Sequence, residues 1–171
     1  MGKIILITGG QRSGKSRKAE EMALTMSREP VYMATAHVWD EEFRQRVEKH
    51  QQRRGPQWTN IEEERWLSRH DMTGRVVLID CITLWLTNLF FDMQDVDKTL
   101  QTAQSEFDRF TSRDATFIFV TNEIGSGGVS DNQVQRRFTD LQGWMNQYVA
   151  ERADKVILMV SGIPVVIKSE K

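Results

Sequence analysis

The sequence holds one cysteine, three prolines and three histidines. A lone Cys81 excludes an internal disulfide and a cysteine-rich metal site. Charge of either sign is not in excess: 23 Lys and Arg stand against 24 Asp and Glu, a net charge of −1. Such a balance points to no nucleic-acid or membrane-binding face. No stretch approaches the roughly 20 apolar residues of a membrane span, and no signal peptide precedes the first expected strand. A cytoplasmic location is expected. Internal repeats, low-complexity tracts and domain linkers are also lacking, so residues 1–171 read as a single domain.

What is present begins with Gly9-Gly10-Gln11-Arg12-Ser13-Gly14-Lys15-Ser16, which has the spacing G-x-x-x-x-G-K-S. Ile4 to Thr8 before it is a short β-branched apolar run, the mark of a buried strand. After it Ala19, Met22, Ala23 and Met26 recur at helical spacing. Strand, glycine loop and helix together make a phosphate-binding loop: backbone N–H groups and the helix N-terminus face the phosphates. In that arrangement Lys15 reaches the β- and γ-phosphates and Ser16 ligates Mg²⁺. Val76-Val77-Leu78-Ile79-Asp80 supplies the companion pattern, an apolar strand ending in a carboxylate for the metal. By itself the second pattern also fits a plain strand-end turn.

Further strands are expected at Val31–Thr35, Ala115–Thr121 and Lys155–Val160. Ser161-Gly162 suits a tight turn into an antiparallel edge hairpin over Ile163–Lys168. Helices are expected over about Asp40–Arg54 with Asp40 as N-cap, over Asp95–Phe110, and from a Ser130 or Asp131 cap to Arg152. The apolar run Ile82–Phe91 reads as a core helix or a subunit contact, its large side chains favouring at least partial burial against a partner. The alternation predicts an α/β P-loop NTPase fold: a mostly parallel sheet flanked by helices, with an antiparallel C-terminal edge hairpin. The polar loop Asn122–Gly128 falls at a strand's C-terminal end, where such sheets bind ligands, although a flexible connection reads equally well.

Phe43, Val47 and His50 share one face of the helix over 40–54, with Arg46, Arg53 and Arg54 one turn away. Spacing alone admits an ordinary amphipathic helix with a half-buried histidine. It also admits an imidazole among guanidinium groups, able to attack phosphorus. Glu62-Glu63-Glu64 reads as a solvated acidic face, His70 has no evident partner, and His37 reads as exposed. These residues support a nucleoside-triphosphate site and leave three classes open: a small-molecule kinase, a nucleotidyltransferase, or a non-catalytic nucleotide binder. No N-K-x-D sequence of a switch GTPase is present.

Several segments together resemble one family: Gly9–Ser16, Ala34-Thr35-Ala36, Arg46 to His50 with Arg54 and Trp58, Asp80 to Leu89, Thr121 to Gly125, Arg137 to Asp140, and Ser161 to Pro164. The family is the bifunctional adenosylcobinamide kinase / adenosylcobinamide-phosphate guanylyltransferase of cobalamin biosynthesis. The resemblance implies phosphorylation of adenosylcobinamide, a corrinoid, with ATP or GTP. GMP transfer from GTP through a covalent histidine, here His50, would follow. It places Ala34, Thr35, Ala36, Gln51, Gln52, Arg53, Arg54 and Glu62 near nucleotide, and implies a homotrimer. The chain departs from the family at Gly128-Val129-Ser130, where a bulky apolar residue, valine and proline are usual.

Overall fold

The computed structural model describes residues 1–170. Its elements are β1 (Lys3–Gly9), α1 (Lys15–Met26), β2 (Val31–Ala34), α2 (Glu41–Arg53), β3 (Thr59–Glu62), β4 (Val76–Asp80), α3 (Ile82–Met93), α4 (Val96–Thr111), β5 (Thr116–Val120), α5 (Gln133–Arg152), β6 (Lys155–Val160) and β7 (Ile163–Ser169). A short 3₁₀ turn covers Leu67–Arg69.

The strands form one sheet in the order β3-β2-β4-β5-β1-β6-β7. All pairs are parallel except β6 with β7. Parallel strands covered on both sides are apolar at successive positions, and β1 shows why. Ile4 and Leu6 pack into a core built with α3, α4 and α5; Ile5 and Ile7 pack into a second, smaller core with Ala19 and Ala23 of α1. The C-terminal ends of β2, β4, β5 and β1 lie side by side along one edge of the sheet. Ala34, Asp80, Val120 and Gly9 are therefore neighbours in rank, although the sequence scatters them.

The expected mostly parallel architecture with its antiparallel hairpin is what forms. Ser161 and Gly162 both have positive φ, 51° and 81°, matching the two-residue turn that suits twisted hairpins. Asp40 caps α2 as expected, accepting from the Phe43 N–H at 2.8 Å. Two differences have local causes. Asn132, rather than Ser130 or Asp131, caps α5 by accepting from Gln135 N at 3.0 Å; the Ser130 hydroxyl instead binds the Gln135 side chain and the Asn132 N–H. The four-residue edge strand β3 gives no alternating apolar signal, because most of its side chains are exposed.

The apolar run in α3 is chiefly core. Trp85, Leu86 and Leu89 are fully buried within the chain, and Trp85 Nε1 donates to Arg65 O at 2.8 Å. Of its large side chains only Leu84 and Phe91 are exposed, so most of this surface is covered without a partner. The exposed apolar residues gather instead on β7, at Ile163, Val165, Val166 and Ile167.

Candidate active site

The loop between β1 and α1 turns through Gly9, whose φ is 152°, and Gly14, whose φ is 93°. A Cβ on Gly9 would stand 2.7 Å from Met159 O and 2.8 Å from Ser13 Oγ, so this turn admits glycine alone. Lys15 is 8% exposed. Its ammonium folds back onto the loop, donating to Gly10 O. Burial pushes the Lys15 pKa down, against the raising pull of the Asp80 carboxylate.

Ser16, on the first turn of α1, donates its hydroxyl to Asp80 Oδ2 at 3.0 Å. The Tyr32 hydroxyl from β2 donates to the same oxygen at 2.7 Å. Burial, then the adjacent Asp80 carboxylate, raises the Tyr32 pKa far above the usual range, so the phenol stays a donor. The Cys81 thiol is pushed up to about 12 by burial and stays a neutral, small packing group, as expected for this residue.

Two cavities meet at these residues. One, of about 600 Å³, is lined by Gln11 to Arg17 together with His50, Arg53, Asp80 and Asn122. The other, of about 260 Å³, is more apolar, with Tyr32, Ala34, Phe43, Val47, Leu84 and Arg54 among its lining residues. Ser16, Asp80 and His50 line both. The i, i+4, i+7 face of α2 thus has a definite role: Phe43 and Val47 close the apolar cavity, and His50 stands where the two cavities join.

The electrostatics around His50 favour its neutral form. Partial burial lowers its pKa, and the positive charges of Arg53 and Arg54 lower it further, outweighing Asp80. Arg53 Nη2 lies 3.5 Å from His50 Nδ1. Arg54, just past the end of α2, holds that end to the sheet. Its guanidinium lies 3.4 Å over the Tyr32 ring and binds Asn60 Oδ1 with Nε and Nη2 at 3.2 and 3.1 Å. Its Nη1 is buried with no hydrogen-bond partner; the Glu20 carboxylate is 4.0 Å away.

Of the residues expected near nucleotide, Gln11, Arg12, Ser13, Gly14, Lys15, Ser16, Ala34, Ala36, Arg53 and Arg54 line one cavity or the other. Gly9 and Gly10 contribute through the backbone of the turn. Three expectations meet a different environment. Thr35 is fully buried, its hydroxyl donating to Cys81 O at 2.7 Å and accepting from Cys81 N at 2.8 Å, so its side chain is a clip between the ends of β2 and β4. Gln51 and Gln52 line neither cavity, although His50 and Arg53 on the same turn of α2 do. Glu62 ends the edge strand β3, exposed and outside both cavities.

The acidic run is not simply a solvated face. Glu63 accepts from the N–H groups of Arg65 and Trp66 and pairs with His70 at 3.1 Å. Burial alone would raise its pKa, but those amide bonds and His70 outweigh it and hold the carboxyl below the usual range. Glu64 pairs with His37 at 2.8 Å. Both histidines therefore have carboxylate partners that the sequence did not disclose. Tyr32 and Glu20 were also missed; each looks like an ordinary member of its strand or helix until the sheet brings Asp80 and Arg54 beside it.

A family model described as cobinamide kinase / cobinamide phosphate guanyltransferase matches residues 5–167. This chain belongs to that family. Full-length relatives agree: it is 38% identical to the bifunctional adenosylcobalamin biosynthesis protein CobP of Pseudomonas aeruginosa, covering 96% of this chain and 97% of that one. It is 36% identical to the bifunctional adenosylcobalamin biosynthesis protein CobU of Escherichia coli, over 96% of this chain and 99% of the relative. Among solved structures, a type III secretion ATPase superposes with a TM-score of 0.59 at 12% identity, over 92% of this chain and 51% of that one. The flagellar accessory protein FlaH of Methanocaldococcus jannaschii gives 0.51 at 15% identity, over 98% of this chain and 79% of that one. At such identities the likeness is one of fold.

In this family member the loop after β5 divides. Asn122 lines the phosphate-loop cavity, and Glu123 N donates to Gly9 O at 3.0 Å, tying the start of the loop to β1. Gly125 and Gly128–Ser130, which include the departure from the family pattern, line a separate depression beside Arg136 and Arg137.

Proposed function

We propose that this protein phosphorylates adenosylcobinamide with ATP or GTP and then transfers GMP from GTP to the product, giving adenosylcobinamide-GDP. The observation that carries this is the position of His50, shared between the cavity holding Lys15 and the apolar cavity beside it. A kinase needs only the first cavity. A histidine at the junction gives the second transfer its nucleophile.

In the first reaction the acceptor hydroxyl attacks the γ-phosphorus; a new P–O bond forms, the bond to the β-bridging oxygen breaks, and the hydroxyl proton is released. Lys15 and the loop N–H groups stabilise the charge that develops on the leaving oxygens. In the second, an imidazole nitrogen of His50 attacks the α-phosphorus of GTP. The N–P bond forms as the bond to the β-phosphate breaks, and pyrophosphate leaves with the electron pair. An oxygen of the corrinoid phosphate then attacks the same phosphorus, and the N–P electrons return to the imidazole. Dividing the transfer this way lets one in-line geometry serve twice. The lowered His50 pKa keeps the lone pair available at neutral pH.

The apolar cavity suits a flat nucleobase. The hydroxyl of Ser16 and the carboxylate of Asp80, 3.0 Å apart, fit Mg²⁺, a cation that takes few protein oxygens and completes its shell with phosphate and water. Bound there, Mg²⁺ would neutralise phosphate charge. Among the described residues no group of three or more His, Cys, Asp or Glu side chains forms a separate metal cluster.

We take the whole chain as one domain and, among the described residues, find no helix long and apolar enough to cross a membrane. A cytoplasmic homotrimer is the assembly proposed, with the apolar row on β7 as its contact surface.

The experiment is a comparison of both products in the parent protein and in His50→Ala. Loss of adenosylcobinamide-GDP with adenosylcobinamide phosphate still made supports the bifunctional reading. Equal yields of both products in His50→Ala would leave guanylyl transfer without a histidine step, adenosylcobinamide phosphate as the parent's sole product would leave a kinase, and GTP binding without either product would leave a nucleotide-binding protein.

A further inference from the structure

The Asp80 carboxylate does not stand free at the end of β4. Its Oδ2 accepts two hydroxyl donors, Ser16 at 3.0 Å and Tyr32 at 2.7 Å, and among the described residues no side-chain donor reaches Oδ1. The first donor is expected in a P-loop protein. The second comes from the middle of β2, two residues before the strand ends, and no motif calls for it. Tyr32 is itself held. Trp58 meets its ring edge-on with centroids 6.1 Å apart, and Arg54 covers its face at 3.4 Å. Arg54 is the residue at which α2, the helix of His50, stops.

We infer that Tyr32 is a positioning residue for the metal site: its hydroxyl fixes the rotation of the Asp80 carboxylate, so that one oxygen is committed to Ser16 and Tyr32 and the other is left for the metal shell. A carboxylate with only Ser16 as partner is free to swing about its last torsion, which is soft. With two donors on one oxygen that freedom is removed before metal arrives, and the ordering cost falls outside the binding step. The ring face of Tyr32 does separate work, seating Arg54 and with it the C-terminal end of α2. One side chain thus touches both the metal carboxylate and the anchor of the nucleophile helix, through different atoms.

The inference rests on the proposed metal site at Ser16 and Asp80, and the test separates the two. Tyr32→Phe keeps the ring, its edge contact with Trp58 and its stacking on Arg54, and removes only the hydroxyl. Trp58→Phe disturbs the same packing and leaves the hydroxyl in place. Mn²⁺ is titrated into each protein with a non-hydrolysable GTP analogue, and free Mn²⁺ is read by electron paramagnetic resonance. Tyr32→Phe is expected to weaken Mn²⁺ binding about tenfold, the loss typical of one hydrogen bond to a charged group. Its metal-free affinity for the analogue stays near the parent value, its thermal midpoint falls by a few degrees for the lost hydroxyl bond, and Trp58→Phe binds Mn²⁺ as the parent does. In turnover, the half-saturating Mg²⁺ rises for Tyr32→Phe and stays at the parent value for Trp58→Phe. Parent-like Mn²⁺ affinity in Tyr32→Phe would overturn the positioning role and leave the metal site standing. An equal loss in Trp58→Phe would assign the effect to packing and overturn it too. No Mn²⁺ binding in the parent protein would overturn the metal site and this role together.

Discussion

Ser16 Oγ and Asp80 Oδ2 are 3.0 Å apart across a gap of 64 residues. The contact joins the start of α1 to the end of β4, two strands away from β1 in the sheet. Those two residues were each suggested by a short pattern, and their meeting is what turns two patterns into one site. Around that pair the chemistry divides between charge already present and charge that develops during transfer, and the predictions follow that division.

Lys15→Ala should slow both transfers, lowering kcat by about 10²–10³, the usual cost of losing one preorganised donor to a developing oxyanion. Its amine bonds only within its own loop, so the thermal midpoint should stay within a few degrees of the parent. Product formation and a melting curve on one preparation check both halves.

The acid limb of guanylyl transfer should lie below pH 6.5, the ordinary histidine value, because burial, Arg53 and Arg54 all lower the His50 pKa. The neutral imidazole is the reactive form, so the rate falls as pH drops through that lowered value and is steady above it. Arg53→Gln removes one lowering charge and should move the midpoint upward. A pH profile of α-phosphate labelling in the two proteins reads the midpoint independently of the absolute rate. A midpoint that does not move would show that Arg53 leaves this imidazole unaffected.

Gly9→Ala and Gly10→Ala should behave differently although they are adjacent. The first places a methyl 2.7 Å from Met159 O at a φ of 152°; the second meets nothing within 4 Å. Nucleotide binding should weaken more than tenfold in Gly9→Ala, with a lower thermal midpoint. Gly10→Ala should shift the midpoint by no more than about 2 °C. Equal effects would mean that the loop relaxes at no cost.

Arg54→Ala should destabilise the protein by about 2–3 kcal/mol, since it removes two hydrogen bonds to Asn60 and a stacked guanidinium from a side chain only 3% exposed. Arg54→Lys keeps the charge but cannot reproduce the planar fork, and should fall between. Denaturant unfolding gives the ordering directly.

Much of this was legible because the functional patterns are local. Gly9 to Ser16 carries its flanking strand and helix with it, and Asp80 ends an apolar strand, so the fold class and the phosphate site could be read in order along the chain. His50 was ambiguous on spacing alone, because an amphipathic helix and a helix carrying a nucleophile share the same periodicity. What escaped depends on distant segments. Tyr32 becomes a partner of Asp80 only when β2 and β4 pair, and Arg54 is buried only when β3 adds Asn60 to the edge. Glu63 looked solvated because three carboxylates in a row usually are, yet it caps the backbone at Arg65 and Trp66. Trp85 looked like a candidate for a subunit contact until α4 and α5 packed over it.

The most direct test of the account uses GTP labelled at the α-phosphate, incubated with the protein and Mg²⁺ and then denatured. The account predicts label on the chain that is acid-labile and alkali-stable, as a phosphoramidate is, and that is lost in His50→Ala while GTP binding remains. GTP binding without any such label, or label that persists in His50→Ala, would contradict the covalent histidine at the junction of the two cavities.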